Sequence, residues 1–275
     1  MALRLLEETD ARIVLTSRDP ERIKGIPQSD RIVIRQVDLE EPEVAARRLA
    51  DCETVIFTPI LTLSAPVAEA MRTRKNEARL ILYSSNNVGL DQTAEIYRLL
   101  KAAEVRIKAI AEPWAIIRPT MIYGTPGDGN LGKLMQLARK FRMLPIIGSG
   151  EALQQPVHYD DLAELTLELV LELDWRRQEI SAAGPDILSL RELCREVGRA
   201  SGRQCLQLFV PVSFLRPFAV FFTKLGLPFP LKPAQLDRIE TDKLPTWPEL
   251  ADWDSQVSIS EGLADIAAQL DTQSR

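Results

Sequence analysis

Two apolar strands with a helix between them, running from Leu80 to Gly124, constrain this chain more than any other stretch. The first reads LILYSSNNV and delivers Ser84 and Ser85 at its carboxyl end. The helix carries Tyr97 and Lys101, four positions apart. The second strand reads AIIRPTMIYG and ends at Arg118-Pro119-Thr120 and Tyr123-Gly124. Short, near-continuous apolar strands alternating with helices imply a parallel sheet covered on both faces. The alternation recurs upstream, with strands at residues 11–16, 31–37 and 53–58 and helices at 2–9, 40–50 and 65–75. The pattern therefore predicts an α/β protein built on a doubly wound parallel sheet.

Residues four apart on a helix share a face. Tyr97 and Lys101 can thus point at one spot, which Ser84 or Ser85 could reach from the strand end. Ligands of open α/β sheets bind beyond the carboxyl ends of the strands, where these serines lie. A phenol titrates near ~10, too high for proton exchange at neutral pH, and a neighbouring ammonium lowers that value. A serine hydroxyl can orient a carbonyl or an alcohol. Such a set can move a proton while a cofactor moves a hydride.

Downstream, residues 92–111 read as one long helix and 131–141 as a short one. LPIIGSG reads as a turn. QQPVHYDDLAEL enters a helix with Asp160 as N-cap and Asp161 in its first turn. QEISAAG and CLQLFVPV read as strands, SLRELCREVGRASG as an amphipathic helix capped by Ser189, and ISEGLADIAAQL as a terminal helix. Residues 213–233, aromatic, proline-rich and free of acids, read as a hydrophobic lobe or flap. The expected division is a sheet domain over residues 1–165 and 176–186, with 187–275 mostly a small C-terminal substrate lobe.

Net charge is −5 with no basic block, so nucleic acid binding has no electrostatic footprint. No apolar run reaches the ~18 residues of a spanning helix. The cysteines, Cys52, Cys194 and Cys205, show no metal spacing and suit a reducing cytoplasm. One histidine, His158, makes a histidine-based metal site or triad unfavourable. With Asp160 and Asp161 it imitates an acid/base pair, but its expected role is to join two lobes and cap a helix.

Ser84-Ser85, Tyr97-xxx-Lys101 with Glu104, Arg118-Pro-Thr-Met-Ile-Tyr-Gly and Gln155-Pro-Val-His158-Tyr-Asp160-Asp161 together resemble the short-chain dehydrogenase/reductase superfamily. The likeness is to its extended and atypical branch, the NAD(P)-dependent epimerases and dehydratases and the complex I accessory-subunit type. The resemblance implies a Rossmann-like fold. It implies Tyr97 as acid/base, Lys101 as the group that lowers its pKa and binds the nicotinamide ribose, and Ser84 or Ser85 as the polarising hydroxyl. For the cofactor it implies Arg18 near a 2′-phosphate, hence NADP over NAD. Asp38 and Leu39 would lie near adenine, Thr58 and Pro59 under the cofactor, and Pro119 near the nicotinamide. A small-molecule substrate is implied, and family members often pair as homodimers through helices flanking the sheet.

The family's opening strand and GxxGxxG turn have no counterpart, since the first glycine is Gly25, beyond the first strand. One reading is a late start codon. The other is a protein that has given up ordinary cofactor binding and serves as a binding or assembly subunit. Weak NADPH binding, or none, is expected of the chain as it stands. The letters GxGxxG do occur at Gly127-Asp128-Gly129-Asn130-Leu131-Gly132. That loop begins with Gly124 and Pro126, stands off its strand, and is expected in the substrate half.

Overall fold

The computed structural model describes residues 1–275 apart from 24, 27, 92, 93, 225–235, 237, 251, 252, 274 and 275. Helix α1 (Ala2–Glu8) leads into β1 (Ile13–Ser17), which pairs in parallel with β2 (Ile32–Gln36). After α2 (Pro42–Arg48) come β3 (Thr54–Phe57), α3 (Leu61–Thr73), β4 (Arg79–Tyr83), the single-turn α4 (Asn87–Leu90), α5 (Glu95–Ala109) and β5 (Trp114–Pro119). The chain continues through β6 (Ile122–Tyr123), α6 (Leu131–Phe141), β7 (Met143–Ile147), β8 (Leu153–Gln154), β9 (Val157–His158) and α7 (Tyr159–Leu171). It ends with β10 (Arg177–Ala182), β11 (Leu188–Ser189), α8 (Leu190–Ala200), β12 (Leu206–Val210), α9 (Val212–Lys224) and α10 (Ile259–Gln273).

Strands β10, β5, β4 and β3 form a parallel sheet in that order. Successive side chains of a strand point to opposite faces. Leu80, Leu82 and Ile116 accordingly pack on one side with Leu61 and Met71 of α3 and Leu100 and Ile107 of α5. Ile81, Ala115 and Ile117 pack on the other side with α7, Trp175 and Trp253. With both faces and both edges covered, β5 is buried at every position.

The parallel strands fall into two groups. Among the described residues β1 pairs with β2 alone and β3 with β4 alone, so each keeps an unpaired edge. Apolar packing still bridges the two parts, because Val37, Ala45, Ala46 and Leu49 share one core cluster with Val55 and Phe57. A second core gathers Leu131 and Met135 of α6, Ile146 of β7, Leu193 and Val197 of α8, and Leu263 and Ile266 of α10.

Several local expectations shift. The helix carrying Tyr97 begins at Glu95, behind the separate turn α4. LPIIGSG is largely strand β7, held by β12 in parallel register despite Pro145. Helix α7 is capped by His158, whose Nδ1 accepts from the Asp160 backbone N–H at 3.4 Å, and not by Asp160. Asp161 lies in the first turn of α7, as expected, and accepts backbone N–H groups of Gln256 and Val257. Ser189 caps α8 in a reciprocal capping box with Glu192. Of the aromatic run, Phe214, Phe218 and Phe221 stand exposed on α9, and residues 225–233 lie outside the described residues. Among the described residues no helix is long and apolar enough to cross a membrane.

Candidate functional site

The end of β4 turns across the end of β5. The Ser84 N–H donates to Ile117 O at 2.8 Å and the Asn86 N–H to Pro119 O at 3.1 Å. Asn86 is buried there and clamps a distant segment. Its Nδ2 donates to Leu244 O at 2.7 Å, and its Oδ1 accepts from the backbone N–H and hydroxyl of Thr246 at 3.0 and 3.1 Å. Trp247 follows, and its N–H donates to Ser181 Oγ of β10 at 3.2 Å. Gly89 permits this fit, since a Cβ there would stand 2.5 Å from Thr246 Oγ1 and 2.8 Å from the Trp247 ring.

Tyr97, half-buried in the first turn of α5, reaches back over this strand end. Its hydroxyl accepts from Asn87 Nδ2 at 3.0 Å. The Asn87 backbone N–H donates to Ser85 Oγ at 3.3 Å, which links Ser85 to Tyr97 through a single residue. Lys101 is exposed one turn further along α5. Ser84 faces elsewhere: its Oγ donates to Glu104 Oε1 at 2.5 Å.

That contact belongs to a buried ionic cluster. Arg118 of β5 is fully buried and forms a two-pronged pair with Glu104, Nε to Oε1 at 2.9 Å and Nη2 to Oε2 at 2.7 Å. Nη2 also reaches Glu179 Oε2 at 2.7 Å, which Lys108 Nζ approaches at 2.7 Å. The guanidinium lies 3.8 Å from the Trp247 ring centroid. Burial pushes the Glu179 carboxyl up, but hydrogen bonds from Lys108 and Arg118 outweigh it and hold the group below its usual range. Two cations thus face two carboxylates directly beneath the strand end.

A cavity of about 210 Å³ opens beside Tyr97. Asn87 and Asp91 line it from the two ends of α4, and Arg238 and Lys243 from the C-terminal segment. Arg238 Nη1 pairs with Asp91 Oδ2 at 2.5 Å, and its guanidinium lies 4.9 Å from the Tyr97 ring centroid.

The other predicted positions line the carboxyl rim of the sheet. Arg18 is exposed directly after β1, and its carbonyl accepts from Gln36 Nε2 at 3.0 Å. Asp38 follows β2 and accepts the Glu40 N–H at 2.9 Å, a local turn before α2 rather than a cap on it. Leu39 packs onto the core. Thr58 and Pro59 are exposed after β3, and Pro119 is buried at the end of β5. Of these positions, Arg18 and Thr58 are exposed polar residues at the carboxyl ends of parallel strands, the end at which open α/β sheets bind ligands. Among the described residues no glycine turn lies between β1 and β3 to meet a pyrophosphate.

The 127–132 loop does not supply that turn. Its inward N–H groups are taken by its own Asp128, whose carboxylate accepts from Gly124, Thr125, Asn130 and Gly132 at 3.2, 3.3, 2.8 and 2.9 Å. A Cβ on Gly132 would stand 2.1 Å from Thr125 O, so its glycine serves close packing of the helix start. Asp128→Ala orphans these donors and should cost about 1–3 kcal/mol in thermal or urea unfolding. An unchanged midpoint would show that Asp128 does not organise the loop.

Sequence reasoning passed over Asn87, Asp91, Arg238 and Lys243. The paired asparagines after the serines were a signal for the first of these. Arg238 and Lys243 sit in a loop-rich stretch with no periodicity.

A family model described as NAD(P)H-binding matches residues 1–146. A search of curated proteins finds no match. An epimerase from Methanothermobacter thermautotrophicus superposes with a TM-score of 0.72 at 14% identity, covering 99% of this chain and 88% of that one. UDP-glucose 4-epimerase from Thermotoga maritima gives 0.68 at 12% identity, with 99% and 94% covered. dTDP-glucose 4,6-dehydratase from Bacillus anthracis, solved with NAD, gives 0.72 at 11% identity, with 98% and 91% covered. These likenesses agree with the parallel sheet and its carboxyl rim. The matched model spans more than half of the residues, and the chain belongs to the NAD(P)H-binding family, with a Rossmann-type fold shared with epimerases and dehydratases.

Proposed function

We propose that this protein is an NAD(P)-dependent oxidoreductase, or a sugar-nucleotide epimerase or dehydratase, that uses Tyr97 to exchange a proton with a small-molecule substrate. The observation that carries this reading is the placement of the Tyr97 hydroxyl. It accepts from Asn87 at 3.0 Å and lines a cavity beyond the carboxyl end of β4. Lys101 lies one turn further along α5, where the resemblance places the group that holds the nicotinamide ribose. Ser85 stands beside Asn87 and is the hydroxyl suited to orient a substrate oxygen. Ser84, committed to Glu104, fixes the strand end. Arg18, Asp38, Leu39, Thr58, Pro59, Lys101 and Pro119 would hold the cofactor, NADP ahead of NAD. When bound, the nicotinamide supplies or accepts hydride.

A second reading, a non-catalytic binding or assembly subunit, draws support from the unpaired edges of β1 and β3. Fluorescence of NADPH on titration with the chain separates the two. A weak but saturable change is expected, because the proposed contacts lie at the flanks of the cofactor and, among the described residues, no glycine turn meets its centre. No change at any cofactor concentration would overturn the enzymatic reading. Arg18→Ala should weaken NADPH about fivefold while leaving NADH unaltered, as befits one exposed charge pair. Equal losses for both would remove Arg18 from phosphate selection.

A further inference from the structure

The cavity beside Tyr97 has an unbalanced wall. Among its described lining side chains Arg238 and Lys243 are cationic and Asp91 is the acid. Asp91 is already engaged, by Arg238 and by the Ala94 N–H at 3.2 Å. Lys243 is different. Among the described residues its ammonium has no hydrogen-bond or ion-pair partner, although its backbone is fixed by donation to Leu153 O at 2.8 Å and a bridge to Gln154. Burial first, and the charge of Arg238 second, pull its pKa below the usual lysine range. A half-buried cation held against a second cation, with no partner of its own among the described residues, is an unfavourable arrangement unless something anionic enters.

We infer that Lys243, with Arg238, holds an oxyanion of the substrate, a carboxylate or a phosphate, against Tyr97. This rests on the reading of Tyr97 as the proton-exchanging group and adds the class of substrate. The geometry supplies donors on two sides, the Lys243 ammonium and Arg238 from the C-terminal segment and Asn87 from α4. Size narrows the class. At about 210 Å³ the cavity is smaller than the ~300–1,000 Å³ of sites that enclose drug-sized ligands. It suits a small acid or a phosphorylated small molecule, whose anionic group then lies within one cavity's width of the reacting carbon.

The test measures anion binding without cofactor or turnover, so it stands apart from the fate of the enzymatic reading. Inorganic phosphate and malonate are titrated separately by calorimetry against the full chain at constant ionic strength, with chloride as the blank. At least one should bind saturably to wild type and to Tyr97→Phe. Lys243→Gln should lose about 10–100-fold in affinity, the worth of one charge-assisted bond, and Lys243→Arg should recover most of it. Preference for phosphate would point to phosphorylated substrates and preference for malonate to free acids. No saturable binding of either probe to wild type would overturn the inference, as would equal binding by Lys243→Gln. Because the Lys243 backbone contacts survive substitution, circular dichroism should match wild type in both variants.

Discussion

Arg118→Met should lower the unfolding free energy by about 3–5 kcal/mol, the range seen when one member of a buried ion pair is removed. Arg118 is fully buried, and it is the group that bonds both Glu104 and Glu179. Without it Glu104 keeps only the Ser84 hydroxyl as a described side-chain donor, while Glu179 keeps Lys108. The Trp247 ring also loses the cation against which it stacks. Adding Glu104→Gln to Arg118→Met removes the uncompensated charge and should restore a large part of the loss. Urea unfolding of the single and double variants checks both statements. A single variant within about 1 kcal/mol of wild type would mean that the cluster is not a structural anchor.

Tyr97→Phe should reduce turnover by about 10²–10⁴-fold, the usual contribution of a positioned acid/base group, with any substrate that the wild type converts. Stability should change little, since the phenol is half-buried and gives up one hydrogen bond, from Asn87. NADPH titration should be unaltered, which separates loss of proton transfer from loss of cofactor. Wild-type rates in the variant would remove Tyr97 from the chemistry. Asn87→Ala is the companion measurement: it leaves the phenol in place but frees its orientation, so its effect should be smaller than that of Tyr97→Phe.

The sheet was legible because its strands announce themselves locally. The apolar runs at 11–16, 31–37 and 53–58 and the two around Tyr97 became β1 to β5, within a residue or two at most ends. Their pairing into two groups, β1 with β2 and β3 with β4, β5 and β10, is a tertiary fact that no single strand announces. Elements fixed by distant partners were not legible. Strand β7 carries Pro145 and reads as a turn, and only its pairing with β12 about sixty positions later makes it a strand. The Glu104–Arg118 pair joins two residues noted for their motifs, but no spacing rule on a helix and a separate strand predicts that they meet. The stretch from 238 to 247 has no periodic pattern. Its order comes from Asn86 and from the cavity wall, neither of which is local to it.

The clamp made by Asn86 has a consequence for synthesis. Its partners at Leu244 and Thr246 lie 158 and 160 positions downstream. Contacts of such separation close late, because a long loop must be ordered before they reward it. While a ribosome is still translating, β4 and β5 can pair and α5 can dock with Tyr97 on it, yet the roof over them has not been made. A nascent chain halted before Leu244 would carry the Tyr97 phenol on an uncovered floor, and the cavity wall would close only once residues 244–247 had been made.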